Sequence, residues 1–106
     1  MYWIYLVIAG LFEVSWAIGL KLTEGWSKLV PSIFTVIFMV ASFAMLSLAI
    51  KKIPIGTAYA VWTGIGAAGT ALIAMIFLGE NVSGSKILFL SLIIIGIIGL
   101  KITSPN

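Results

Sequence analysis

Apolar residues run along this chain almost without a break, and the few charges cut the run into four segments. Residues 2–20 carry one charge, Glu13, and end at Lys21. Residues 29–50, between Lys28 and Lys51, carry none, and neither do residues 53–79, between Lys52 and Glu80. The last uncharged run, 87–100, is short of the about 20 residues that cross a hydrocarbon core of roughly 30 Å. It must borrow from 84–86 and 101–103, with Lys86 and Lys101 snorkelling to the headgroups. The pattern predicts an all-α membrane protein with four transmembrane helices, at about 2–20, 30–50, 54–78 and 84–103, in one domain of residues 1–106. The connections KLTEGWSK, KKIP and GENVSGSK are short. Pro31 and Pro54 suit the first turns of the second and third helices, where a missing N–H costs nothing. Tyr2, Trp3, Tyr5 and Trp26 fall near span ends, where an aromatic belt belongs.

Composition agrees. Of the 106 residues, 62% are hydrophobic and 8% charged, too few charges to clothe a soluble globule. The first segment lacks the basic start and small-residue cleavage site of a secretory leader, so it is expected to be a retained span. There is no cysteine and no histidine, which excludes a thiolate metal site, a disulfide framework and the usual proton shuttle. No nucleophile–base pair or metal cluster stands out, so the pattern calls for no enzyme activity, metal or cofactor. The net charge of +3 comes from six scattered lysines rather than a patch, which argues against nucleic acid.

Charge also bears on orientation. With four spans, Lys51, Lys52 and Lys101 lie on one side and Lys21, Lys28 and Lys86 on the other. A tie of this kind gives the positive-inside rule nothing to act on. Copies inserted both ways could then form an antiparallel homodimer. Gly96 and Gly99, three apart in the fourth helix, would let backbones approach closely and are the candidate dimer seam.

Glu13 is the informative residue. It lies about 3 Å from the middle of its span at 1.5 Å per residue, where a charge is costly and is ordinarily kept for an ion or proton pathway. Burial disfavours the carboxylate, so either a proton or a cation can neutralise it. If the two compete for one group, each expels the other, which is the core of an antiporter. Gly10, Trp16 and Ala17 share its helix face, Gly10 leaving space and Trp16 offering a π face to a cation. Thr35, Phe38, Met39 and Ser42 line a stripe on the second helix, where a serine hydroxyl could bond the carboxylate. Tyr59, Trp62, Thr63 and Gly66 align on the third. Gly64, Gly66 and Gly69 weaken that helix, so a hinge at Gly64 and Gly66 and close packing both fit.

These stretches resemble the small multidrug resistance family. The residues that carry the resemblance are GLFEVSWAIGLK around Glu13, PIGTAYAVWTGIGA at 54–67 and GIIGLK at 96–101. WTGIGA, with Trp16 three residues after the glutamate, is similar in particular to the family's guanidinium-exporting subtype. Trp26 and the paired Lys51 and Lys52 depart from that pattern away from the site. The resemblance implies an antiparallel homodimer in a bacterial inner membrane, with the fourth helix as seam, that exchanges protons for guanidinium. It implies Glu13 as the shared proton and substrate carboxylate and Trp16, Tyr59 and Trp62 as an aromatic wall. Ser42 is then the glutamate's polar partner and Gly10 the small residue beside it. Guanidinium is planar and presents N–H donors in a fork that matches a carboxylate. An exporter of quaternary ammonium or polyaromatic drugs, or a non-transporting accessory or pore-forming subunit, are the alternatives.

Overall fold

The computed structural model describes residues 2–104. Four helices follow one another: α1 (Tyr2–Leu22), α2 (Leu29–Ala49), α3 (Ile55–Phe77) and α4 (Gly84–Thr103). Each is long and apolar enough to cross a membrane. Pro31 sits in the first turn of α2, as its missing N–H allows, whereas Pro54 is the N-cap of α3 and lies just outside it. Ser83 caps α4 by accepting the Lys86 N–H.

The arrangement is a slab, measuring 43 × 35 × 17 Å, rather than a round bundle. Helix α1 is the hub and packs on both α2 and α3, while α4 packs against α3.

Small residues set these approaches, as expected where lipid supplies no hydrophobic drive for helices to associate. A Cβ on Gly10 would come within 2.6 Å of Ile65 Cγ2, and one on Gly69 equally close to Val14 Cγ2. These two glycines let α1 and α3 interlock. A Cβ on Gly19 would collide with the Thr35 hydroxyl of α2.

The densest packing lies near the α2–α3 connection, where Leu6, Ala9, Ala49, Ile53, Ala58, Val61 and Trp62 form one buried cluster. Ile53 belongs to the KKIP connection and is 1% exposed, so this loop is partly core. At the same end, the Lys101 ammonium lies 5.1 Å from the Trp3 ring centre, joining the end of α4 to the start of α1. Helix α4 buries none of its residues. It presents isoleucine, leucine and phenylalanine on every side, as lipid or a partner helix requires.

Candidate functional site

Glu13 projects from the middle of α1 toward α3. Gly66 makes this possible, because a Cβ there would occupy the space of the Glu13 carboxyl group. Glu13 Oε1 is buried and has no hydrogen-bond partner among the described residues. It lines a cavity of about 380 Å³ together with Ala17, Thr63, Gly66, Ala67, Thr70, Ala71, Ala74 and Glu80. The α3 lining residues recur three and four apart, so they form one continuous face.

Beside the carboxylate, three helices are tied by one serine. Ser42 Oγ donates to the Ala9 carbonyl at 2.6 Å and accepts the Trp62 Nε1–H at 2.9 Å. Both residues are buried. The Ser42 hydroxyl, expected as the glutamate's polar partner, is turned elsewhere in this structure. Its hydrogen goes to the backbone of α1, one turn before Glu13, and its lone pair goes to the indole. Serine hydroxyls in spanning helices bond whichever acceptor the packing brings closest, and here it is a carbonyl beside Gly10.

Trp62 is locked by this bond and by rings on both sides. Its ring centre lies 5.6 Å from that of Phe43 and 5.6 Å from that of Tyr59, and Phe43 in turn lies 6.4 Å from Trp16. The expected aromatic residues thus form one row, Trp16–Phe43–Trp62–Tyr59. Phe43 is its missing link in the sequence reading. One more helical step from Met39 would have reached it, but a phenylalanine in a wholly apolar helix carries no signal. Trp62 is 6% exposed and Tyr59 57%, so the row runs from the interior to an open face. Trp16 Nε1 is buried and unpartnered within the chain.

The glycines divide differently from expectation. Gly10 is buried against Ile65, so the room it leaves is taken up by α3 rather than opened beside the carboxylate. Helix α3 runs unbroken through Gly64 and Gly66. A Cβ on Gly64 would come within 2.9 Å of Ile97 Cδ1 in α4, and Gly66 makes room for Glu13, so in this structure both are packing positions rather than a visible hinge. Gly96 and Gly99 have nothing within 4 Å of a modest side chain and lie apart from the site, on the open surface of α4.

A mid-span carboxylate lining a cavity between α1 and α3, in a chain of four apolar helices long enough to cross a membrane, is the arrangement of a small membrane transporter. Residues 1–93 match the family model described as Small Multidrug Resistance protein, and the chain belongs to that family. It is 60% identical over 104 residues to a guanidinium exporter of Yersinia pseudotuberculosis, an alignment covering 98% of this chain and 100% of the relative. Guanidinium exporters of Salmonella typhimurium and Citrobacter freundii are each 57% identical, with coverage of 98% and 99%.

Proposed function

We propose that this chain exports guanidinium and small guanidinyl cations in exchange for protons. It works as an antiparallel homodimer in a bacterial inner membrane. The observation that carries the reading is the Glu13 carboxyl group, with an oxygen unpartnered within its own chain and facing a cavity in mid-membrane. An unpaired charge there is tolerated only if a proton or a cation neutralises it in turn. The planar fork of guanidinium is the cation that one fixed carboxylate holds best. Trp62 supplies a rigid ring wall, anchored through Ser42 to α1. The names of the relatives point to the same substrate.

The shape of the chain supports the dimer: the cavity lies open on one side of a flat slab, where a second copy would enclose it. The near-symmetric lysine distribution permits that copy to be inverted.

Glu13 holds proton and substrate alternately in this scheme, and Tyr59, Trp16 and Trp62 limit the site to small cations. The test is guanidinium uptake into proteoliposomes under an imposed pH gradient, with tetraethylammonium as a second cation. Wild type is expected to move guanidinium in preference, and Glu13→Gln to lose proton-driven uptake while keeping its helix content and dimer. Uptake retained by Glu13→Gln would overturn the proposal. A wild type that prefers the tetraalkyl cation would assign the drug-exporting alternative.

A further inference from the structure

The cavity that starts at Glu13 does not end in the membrane. It continues along one face of α3, past Thr63, Gly66, Ala67, Thr70 and Ala71, to Ala74, and Glu80 lines it as well. Gly66 and Ala74 are eight residues apart, which is about 12 Å of helix, and Thr70 stands halfway.

Glu80 is brought to the mouth by a backbone turn. Gly79 takes φ +71°, a conformation that favours glycine, and the chain folds back so that the Glu80 N–H donates to the Ala74 carbonyl at 3.1 Å. Glu80 Oε1 accepts from Lys86 Nζ at 3.2 Å, and the same ammonium donates to the Asn81 carbonyl at 2.9 Å. Both partners remain partly exposed to the aqueous side.

Thr70 is the second observation. A hydroxyl in a spanning helix ordinarily donates to the carbonyl four residues back. Ser15, Thr35, Ser91 and Thr103 all do so in this chain. Thr70 does not. Its Oγ1 is buried, has no partner among the described residues, and belongs to a residue lining this cavity.

Resting on the exporter reading above, we propose that this cavity is the route by which the cation reaches Glu13 from the loop between α3 and α4. Glu80 is the capture site at the mouth, Lys86 is a tethered cation that holds Glu80 until substrate displaces it, and the Thr70 hydroxyl accepts an N–H of the cation in passage. The Glu80–Lys86 pair can exchange partners because it is exposed, where an ion pair contributes little and is easily opened. A guanidinium ion offers Glu80 two parallel N–H bonds where the lysine offers one. Between the two carboxylates the small side chains of Gly66, Ala67, Ala71 and Ala74 leave width for a planar ion, and Thr70 supplies a polar group along an otherwise apolar stretch.

The two ends of the ion pair then have opposite effects, which a merely structural pair would not show. Full-length wild type, Glu80→Gln, Glu80→Asp, Lys86→Met and Thr70→Val are reconstituted, and initial guanidinium uptake is measured below and above saturation under one pH gradient. Below saturation, Glu80→Gln is expected to slow uptake by about tenfold, the low end of electrostatic steering effects, and Glu80→Asp to keep most of the wild-type rate. Lys86→Met is expected to speed uptake by about threefold, and the loss of one hydrogen bond in Thr70→Val to slow it by about fivefold. The loss in Glu80→Gln is expected to be larger below saturation than above it. Losses of similar size in Glu80→Gln and Lys86→Met, or no change in either, overturn the route while leaving the exporter reading intact. A wild type without guanidinium uptake overturns both.

Discussion

The indole N–H of Trp62 and the hydroxyl of Ser42 meet at 2.9 Å in the interior, and through the Ala9 carbonyl this pair joins α3 to α2 to α1. A contact that binds three helices has more to lose than a ligand contact. Ser42→Ala leaves the buried indole donor unpaired, at a cost of about 1–3 kcal/mol. The expected result is a lower unfolding temperature in detergent. Guanidinium and a hydrophobic ammonium should both bind more weakly and by similar factors, because Ser42 acts by positioning Trp62 and not by touching the carboxylate. Thermal unfolding and the two dissociation constants, measured at one pH, check this. A loss confined to guanidinium would show that Ser42 meets the substrate itself.

Gly66→Ala puts a methyl group where the Glu13 carboxyl lies. Overpacking of this kind costs about 1–3 kcal/mol, and here it falls on the carboxyl group proposed to hold the cation. Guanidinium affinity should drop by about tenfold or more, while helix content by circular dichroism holds or rises, since alanine is the better helix former.

On the proposed exchange, competition of proton and cation for Glu13 sets the sign of the pH dependence. A proton on Glu13 removes the negative charge that holds the cation, so apparent guanidinium affinity weakens as pH falls. Below the range where the carboxylates titrate, the slope is up to about tenfold per pH unit for each proton displaced. Isothermal titration across a pH series reads it directly. In Glu13→Gln no such slope should remain.

The four helices were legible because nine charges in an apolar chain act as punctuation, and Glu13 was legible because it breaks that rule in mid-span. Rotation of one helix about another was not. Periodicity put Ser42 and Gly10 on faces, but which neighbour each meets depends on how α2 and α3 lean on α1. That lean is set by pairs such as Gly69 with Val14, which no single-helix pattern encodes. Thr70 gave no signal because a threonine in a spanning helix is normally satisfied by its own backbone. Glu80 looked like an ordinary loop charge until the turn at Gly79 carried it back over Ala74.

A Cβ on Gly96 or Gly99 would have nothing within 4 Å among the described residues, so a methyl group at either should leave the fold of one copy undisturbed. If α4 is the seam, Gly96→Leu and Gly99→Leu should weaken the dimer by about tenfold or more, at a cost of 1–3 kcal/mol for a forced gap. Crosslinking yield against protein-to-lipid ratio measures this, with Ile94→Leu as the control on the opposite face of the same helix.

Ile53 gives the short loop between α2 and α3 a mechanical character. Because its side chain is sunk in the cluster with Leu6 and Ala58, the two helices are clamped at that end like the arms of tweezers. A rocking of α2 by about 10° around this fulcrum would carry its far tip, roughly 30 Å away at 1.5 Å per residue, through about 5 Å. That is the width of a planar ion, obtained without unwinding a turn of either helix.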